Sequence, residues 1–289
     1  MTREILITGG DAQFFPFIVA AISSLRAQER TRGIDLGIID QGLHEDQKLR
    51  LQEFGCTIVR PEWTLPVPVE ARLLRNIGLV ARTALRDYFP GYASYVWFDA
   101  DAWMQTPEFF DAFLDGACAH GAAVVTENGP GYRKSLSDIR WWVGNMLSGF
   151  GPITGLRCGF ATSINIGVLC LSANAPHWKA WQRRYAQALA RTGKVNLDQH
   201  AFLAAVLLDQ LPVAYLSARF NWLPHLSCPV WDPRTRMLCE PSSAHRPLSV
   251  IHLAGPRKDR LYELPRLNGG SFATALTYPA MQPYLPACP

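Results

Sequence analysis

The chain has 289 residues, of which 48% are hydrophobic and 18% are charged. This composition excludes global disorder and predicts a sizeable hydrophobic core. The formal net charge of +4 is mild and is typical of a solvated basic face, although it leaves open anionic ligands or an acidic membrane surface. We expect no nucleic-acid partner.

The cysteines indicate a reducing compartment. There are seven, an odd number, with no C-x-x-C pair, and most lie in apolar stretches. The N-terminal stretch "MTREILITGGD" contains no signal-peptide core, and no run approaches the roughly 18 apolar residues of a spanning helix. We therefore expect a cytoplasmic protein with at most peripheral contact at the inner face of a membrane.

The first sixty residues alternate between strand and helix patterns. Apolar strands are predicted at Glu4–Asp11, Asp35–Asp40 and Cys56–Arg60, with helices at Phe15–Gln28 and His44–Gly55 between them. Short turns between such elements require right-handed crossovers, so this part of the chain predicts a parallel sheet.

The middle of the chain continues the pattern less regularly. A helix is predicted over Ala71–Tyr88, followed by a continuous apolar strand at Tyr92–Asp99 and another at Gly121–Asn128. The segment Asn128–Gly155 is rich in glycine and aromatic residues, which favours a lid or a loop with short helices.

The second half adds further elements, and the segment after Arg266 has no strong periodicity. Together they predict one α/β domain with a Rossmann-like, mainly parallel sheet between helices. The predicted elements are strands at Ile164–Ser172, Val213–Leu216 and Ser249–Leu253, and helices at Ala175–Ala190 and Asn196–Asp209.

Two carboxylates follow the apolar strand in "YVWFDADAW". Asp99 and Asp101 lie at a predicted strand end, where sheets of this kind bind ligands. Hard divalent cations prefer such oxygen ligands, and a cation that bridges a diphosphate needs few of them from the protein. The alternative is structural: Asp101 caps the helix indicated by Thr106–Gly116.

A second motif, "IHLAGPRKDR", follows another predicted strand. His252 is a suitable ligand for manganese, Gly255 lets the backbone approach a phosphate, and Lys258 supplies a positive charge to it. The alternative is a buried histidine followed by a polar turn.

The motifs, taken in order, resemble those of the family-8 glycosyltransferases. After D-x-D the chain has "NIGV" (Asn165–Val168), the Asp-Gln pair of "NLDQH", the Asn-Trp of "FNW" and H-x-x-G-x-x-K. The resemblance runs from about Ile5 to Lys258. It implies the GT-A fold, a nucleotide-sugar donor, manganese and transfer with retention of configuration.

Residue roles follow from this resemblance. It implies that Asp99, Asp101 and His252 bind Mn²⁺, with Mg²⁺ as the alternative ion, and that Asp198 and Gln199 lie beside the donor sugar as catalytic candidates. The implied donor-binding residues are Thr8, Gly9, Gly10, Asp11, Arg82, Ala100, Asn165, Gly255 and Lys258.

The resemblance also implies a division of labour along residues 1–289. Residues 1–125 are expected to bind nucleotide and metal, residues 126–265 to bind sugar and acceptor beneath a lid, and residues 266–289 to form a tail. The expected donor is a UDP-hexose, UDP-glucose or UDP-galactose, and the acceptor is a glycan, lipid-linked or other hydroxyl compound.

Three departures from the family pattern bear on these roles. His200 stands where the family often has an acidic residue, Asp259-Arg260 follows Lys258 in place of Pro-Trp, and Ala12 removes a polar contact to the nucleoside. They affect, respectively, donor-sugar selectivity, closure of the diphosphate loop and recognition of the base.

Structural alternatives remain for several single residues. Asn165 also suits a buried amide, Asp198 a helix cap and Arg82 a surface position. The pair Trp141-Trp142 suits either an acceptor-stacking surface or a packed lid, whereas Trp178 and Trp181 have the helical spacing of core residues.

Two other functions compete with glycosyl transfer. A nucleotidyltransferase also combines a parallel sheet with carboxylates and a metal, but Gly9-Gly10 is followed by Asp11 and not by a basic loop. A sugar-nucleotide-binding protein without turnover is the non-enzymatic alternative. For the transferase, we favour same-face attack with the leaving phosphate as base, because glutamine is a poor nucleophile.

Overall fold

A computed structural model describes residues 3–255 and 257–286. Its strands are β1 (Glu4–Gly10), β2 (Asp35–Asp40), β3 (Cys56–Val59), β4 (Ser94–Phe98), β5 (Ala102–Met104), β6 (Ala122–Thr126), β7 (Ile164–Ser172), β8 (Ala214–Leu216), β9 (Val230–Asp232), β10 (Met237–Cys239), β11 (Val250–His252), β12 (Leu261–Pro265) and β13 (Ser271–Ala275).

The helices are interspersed with these strands along the chain. They are α1 (Phe15–Arg26), α2 (Glu29–Arg32), α3 (Glu45–Glu53), α4 (Ile77–Ala81), α5 (Leu85–Tyr88), α6 (Glu108–His120), α7 (Leu136–Phe150), α8 (Pro152–Gly159), α9 (His177–Thr192), α10 (Asp198–Leu208) and α11 (Tyr278–Met281). Short 3-10 helices cover Val69–Ala71, Leu74–Asn76, Arg82–Ala84, Val195–Leu197 and Ala218–Phe220.

The central sheet confirms the predicted fold class. Within the described residues its strand order is β3-β2-β1-β4-β7-β6-β8, and β7 runs antiparallel to both of its neighbours while the other pairings are parallel. Strands β1 and β4 therefore lie near the middle of the sheet, and their carboxyl ends point to the same edge.

Both faces of the sheet are covered, as the continuous apolar pattern of β4 predicts. Val96 and Phe98 pack into one core, with α1 and α6, while Tyr95 and Trp97 pack into the other, with α9 and α10. The alternation follows from the two-residue period of a strand. Trp178 and Trp181 are fully buried in the second core, as their spacing predicts.

A small second sheet joins the D-x-D motif to the H-x-x-G-x-x-K motif. Strand β11 lies outside the central sheet and pairs antiparallel with β5, in a register that sets Ile251 opposite Trp103 and His252 opposite Ala102. The sequence predicts β11 but not β5, because three residues are too few for a recognisable strand pattern. Helix α6 begins at Glu108, so Asp101 is not its cap.

The predicted single helix over Ala71–Tyr88 is wrong. The segment is divided into two α-helices, α4 and α5, and 3-10 turns. The helical backbone is interrupted at Ala84, whose φ and ψ angles of -135° and 25° are not helical. The segment follows the edge of a cleft, with Arg82 buried, and does not pack as one amphipathic helix.

The prediction for Asn128–Gly155 is also wrong in part. The segment contains the 15-residue helix α7, whose buried residues include Trp142, Met146 and Phe150 at helical spacing. Its start signal is a capping box, in which the Ser135 hydroxyl accepts from the Asp138 N–H and Asp138 accepts from the Ser135 N–H. Internal glycines at 144 and 149 obscure the helix pattern in the sequence.

The tail is structured where it is described. Strands β12 and β13 form a hairpin, and α11 follows. Gly269 and Gly270, in the turn "NGG", both have positive φ angles. Asn-Gly is a hairpin signal in a sequence, and the hairpin was not predicted from it. The Trp103 indole donates to the Leu276 carbonyl at 2.7 Å and ties the tail to β5.

The structure also bears on the state of the cysteines and on whether a helix could span a membrane. Six cysteines are free thiols, and Cys288 lies outside the described residues. Among the described helices, none has the length and apolar character needed to cross a membrane.

Replacing Trp181 with alanine tests the second core. Trp181 is fully buried, donates to the Asp198 carbonyl at 2.8 Å and packs edge-on against Phe202. We expect Trp181→Ala to lower the free energy of unfolding by about 3–5 kcal/mol in urea titration. Trp141→Ala, at a position 52% exposed, is the matched control and is expected to cost about 1 kcal/mol or less. Equal losses in the two variants would contradict this assignment.

Candidate functional site

Asp99, Asp101 and His252 converge as the sequence predicts. One ligand atom from each lies within 4.8 Å of the others, and His252 Nε2 is 3.5 Å from Asp99 Oδ2 and 3.4 Å from Asp101 Oδ1. Two carboxylates and one imidazole suit a divalent transition metal. The residues therefore form a candidate centre for such a cation.

Local backbone bonds explain how the chain brings the carboxylates there. The Asp99 N–H donates to the Gly167 carbonyl at 2.7 Å, and the Ala102 N–H donates back to the Asp99 carbonyl at 2.9 Å, which turns the chain after β4. The Leu253 N–H donates to the Asp101 carbonyl at 2.9 Å. These bonds continue the β5–β11 pairing and fix His252 beside the carboxylates.

A chain of amides orients the His252 ring. Asn221 Nδ2 donates to Asn165 Oδ1 at 2.8 Å, so Asn221 Oδ1 faces His252 Nδ1, at 2.9 Å. His252 Nδ1 is therefore the donor to Asn221, and Nε2 is the ring nitrogen that faces the two carboxylates. Asn165 Nδ2 in turn donates to Glu127 Oε1 at 3.3 Å.

Gly167 leaves the space that His252 occupies. A Cβ at this position would lie 2.2 Å from His252 Cε1 and 2.6 Å from Nδ1, far inside normal contact. The glycine of "NIGV" is thus required by the close approach of the imidazole and not by an unusual backbone angle.

Buried charges in the centre balance one another. Burial opposes ionisation of Asp101, but His252 and Lys258 outweigh it and hold the pKa of Asp101 well below its usual range. Burial raises the pKa of Asp99, and Arg82 offsets only part of that effect. Burial disfavours charged His252, yet Asp101 and Asp99 raise its pKa. Asp101 is thus the firmly ionised carboxylate of the pair.

Lys258 reaches the same centre from the loop after β11. Its ammonium contacts Asp101 and donates to the Leu253 carbonyl at 2.8 Å. Gly255, between β11 and Lys258, has a φ of +97°, which a side chain would strain.

Arg82 links the metal candidates to Asp198. Its buried guanidinium pairs with the Asp198 carboxylate and lies 3.6 Å from Asp99 Oδ1. Burial opposes the charge of Arg82, but Asp198 and Asp99 outweigh it and raise its pKa. Asp198 is therefore a buried partner of a cation, and Arg82 is not the surface residue of the alternative interpretation.

A cleft of about 450 Å³ contains most of the predicted donor-binding residues. A larger cavity of about 560 Å³, between α1 and the tail, contains none of the candidate metal ligands. The cleft is lined by the predicted residues Gly9, Gly10, Asp11, Arg82, Asp99, Ala100, Asp101 and Lys258, and by Gln13, Phe14, Gln41, Arg75, Asn76, Gly78, Leu79 and Trp97.

Other predicted residues lie behind the cleft wall. Thr8 is buried and its hydroxyl has no hydrogen-bond partner among the described residues. Asn165 is 8% exposed and uses its amide within the protein, as the buried-amide alternative requires. Gln199 Oε1 accepts from the Ile166 N–H at 3.2 Å.

Sequence reasoning missed several residues of the site. Gln41 follows β2 at the same sheet edge as Asp11, so its place at a strand end is a signal that was available. Asn221 was part of the motif "FNW" without an assigned role. No sequence signal indicates Arg75, because this residue lies in the short 3-10 helix Leu74–Asn76 and not at a strand end.

A second cavity of about 230 Å³ lies beside α7. It is lined by Trp141 and Trp142, and also by Glu127, which joins it to the amide chain behind His252. Both indoles contact His200, with ring centroids 5.1 and 4.4 Å apart. His200 is fully buried, and burial lowers its pKa to about 4, so this position is neutral at physiological pH.

Comparison with known proteins supports the fold. No protein-family profile and no curated protein sequence matches the chain. The solved structure of the galactosyltransferase LgtC, in complex with donor and acceptor sugar analogs, superposes with a TM-score of 0.55 at 16% identity over 87% of each chain. The chain has a GT-A glycosyltransferase fold. The match to LgtC is consistent with the family-8 resemblance.

Two other glycosyltransferases share this fold. The bifunctional WbbM gives a TM-score of 0.56 at 13% identity, over 89% of this chain and 46% of that one. Mouse xyloside xylosyltransferase 1 gives 0.52 at 13% identity, over 88% and 97%. At such identities the likeness concerns the fold alone.

Substitution of Gly167 tests how the imidazole is held. Gly167→Ala is expected to displace His252 and to weaken Mn²⁺ binding by roughly tenfold or more, measured by isothermal titration calorimetry. Gly144→Ala is the matched control, since a Cβ there meets nothing within 4 Å and the position is helical. We expect it to leave Mn²⁺ affinity unchanged. A folded Gly167→Ala protein with wild-type affinity would contradict the account.

Proposed function

We propose that this protein is a metal-dependent, retaining glycosyltransferase. It transfers a hexose from a nucleotide-diphosphate sugar, UDP-glucose or UDP-galactose, to a hydroxyl acceptor. The observation that carries the proposal is the convergence of Asp99, Asp101 and His252, whose two carboxylates line the same cleft as Lys258, in a GT-A fold. The acceptor is a glycan, a lipid-linked compound or another alcohol.

The residues at the centre suit manganese. Asp99 and Asp101 supply hard oxygen ligands, and His252 supplies an imidazole nitrogen, which manganese accepts more readily than magnesium does. When bound, the cation would act as a Lewis acid on the leaving nucleoside diphosphate. The amide chain behind His252 keeps Nε2 free for that ligation.

Two further cations of the cleft suit the donor's phosphates. Lys258 would provide a positive charge to the diphosphate oxygens, with the Gly255 backbone beside it. Arg75, at the other wall of the same cleft, has the same charge and no role in the family resemblance. The nucleoside would lie along the ends of β1 and β2, between Gly9–Asp11 and Gln41.

The contacts of Asp198 and Gln199 favour same-face attack. Asp198 is buried and paired with Arg82, which makes it a poor nucleophile. The Gln199 oxygen accepts from a backbone N–H, so the amide nitrogen is the group that can donate to a sugar hydroxyl. We propose that both residues position the donor sugar and that the leaving phosphate acts as base.

The division of labour along the chain remains part of the proposal. Residues 1–125 contain the metal carboxylates and the nucleoside end of the cleft. Residues 126–265 contain His252, Lys258 and the second cavity, which suits the acceptor because Trp141 offers a half-exposed indole for stacking on a sugar. A cytoplasmic location completes the proposal.

Replacing one carboxylate tests metal dependence. We expect wild-type protein to be stabilised thermally by UDP-glucose or UDP-galactose only with Mn²⁺, because ligand binding raises the melting temperature by mass action. Asp101→Asn should abolish that shift and lower Mn²⁺-dependent donor hydrolysis by roughly 100-fold or more. Asp111→Asn, at a surface pair with Arg30, is the control and should change neither.

The outcomes separate the competing functions. A thermal shift without hydrolysis or transfer would favour a binding protein without turnover. Formation of a nucleotide sugar from a sugar phosphate and a nucleoside triphosphate would favour a nucleotidyltransferase. Wild-type behaviour of Asp101→Asn would refute the metal site.

The configuration of the product tests the mechanism separately. The proposal predicts that an α-linked donor yields an α-linked product, as resolved by nuclear magnetic resonance of the anomeric proton. Gln199→Glu should lower kcat and leave retention intact, because the side chain positions the sugar and is not the nucleophile. A β-linked product would remove the retaining assignment.

A further inference from the structure

Helices α7 and α8 expose an unusual amount of apolar surface. Six of the fourteen exposed large hydrophobic side chains of the described chain lie within the 25 positions 136–160. Monomeric proteins rarely leave a contiguous apolar patch of this kind without a partner. These six, called the apolar ridge below, are Leu136, Ile139, Trp141, Ile153, Leu156 and Phe160.

The two helices are packed so that the ridge must point outward. A Cβ on Gly155 would lie 2.5 Å from Leu147 Cα, and one on Gly159 would lie 3.5 Å from Val143 Cα, so these glycines face α7. Ile153 and Leu156 lie on the opposite side of α8, because helical positions three and four apart share a face. Their exposed fractions are 85% and 45%.

The ridge continues from α8 onto α7. Ile139, Trp141 and Phe160 line the second cavity together, which joins the end of α8 to the first turns of α7. Leu136 is three positions before Ile139 on the same helix face and is 79% exposed. The apolar surface is therefore one band that borders a cavity.

The charge around the ridge is positive. Positions 133–160 contain Arg133, Lys134, Arg140 and Arg157 against Asp138, and Lys134 is paired with Glu127 at 3.0 Å, so four basic side chains face two acidic ones. Arg140 and Arg157 are exposed, and neither forms an ion pair with a carboxylate among the described residues. Basic side chains thus outnumber acidic ones beside the apolar ridge.

We propose that the apolar ridge docks on an anionic membrane surface. Apolar side chains with basic residues at their edge are what an interfacial helix presents to acidic lipids, and an indole such as Trp141 suits the headgroup region. A second copy of the chain fits less well, because a two-fold interface uses the same patch on both copies and this patch carries more basic than acidic side chains. The docked protein turns the cavity beside α7 toward the lipid surface.

Vesicle co-sedimentation of the full chain tests the proposal. The wild type should bind vesicles containing phosphatidylglycerol more tightly than phosphatidylcholine vesicles, and added salt should weaken binding. Replacing Leu136, Ile153 and Leu156 together with serine should lower the partition coefficient by roughly tenfold or more. Arg140→Glu with Arg157→Glu should remove the preference for acidic lipid.

The matched control replaces Leu49, Val69 and Leu261 with serine, at positions 62%, 78% and 70% exposed outside the ridge, and should leave binding unchanged. Equal binding of the two serine variants would overturn the proposal. So would equal binding of the wild type to both kinds of vesicle. A concentration-dependent dimer that the ridge variant abolishes would assign the ridge to a second copy.

The vesicle result is independent of the reaction. The ridge variant replaces no residue of the metal centre or donor cleft, so Mn²⁺-dependent donor hydrolysis in vesicle-free buffer should match the wild type. A wild type that binds acidic vesicles but hydrolyses no donor would refute the proposed function and leave the docking surface standing.

Discussion

The repulsion between two neighbouring carboxylates, Asp101 buried and Asp99 partly buried, is the constraint on which the site depends. Asp99 and Asp101 lie one residue apart where β4 leaves the core, and two like charges there are costly unless cations surround them. The protein supplies Arg82 beside Asp99 and Lys258 beside Asp101, with His252 between the two carboxylates. Asp99, Asp101 and His252 therefore form the candidate centre on which the proposed metal dependence rests.

Several unrelated parts of the fold serve this arrangement. The antiparallel pairing of β5 and β11 sets the register that places His252 beside Asp101, although 151 positions separate the two residues. Gly167 on β7 leaves room for the imidazole, and Asn221 fixes its tautomer. A change in any of these elements is expected to displace the His252 imidazole from the two carboxylates.

The central sheet and the metal candidates were predictable from the sequence, since strand periodicity and the positions of Asp99 and His252 at strand ends depend on local pattern and general topology. Other features depend on tertiary contacts. The predicted Ala71–Tyr88 helix is interrupted at Ala84, which has non-helical backbone angles, and α7 is stable because Trp142 and Met146 are buried, despite its glycines. The inward direction of Arg82 follows from Asp198, which is distant in sequence.

Crystallography at the manganese absorption edge tests the central claim most directly. Crystals of the protein grown with MnCl₂ and UDP should show one strong anomalous peak, coordinated by Asp99, Asp101, His252 Nε2 and the UDP phosphates. Crystals of His252→Ala should lose the peak or show it greatly weakened. A peak elsewhere in the molecule, or UDP bound in the cleft without manganese at these three residues, would contradict the account.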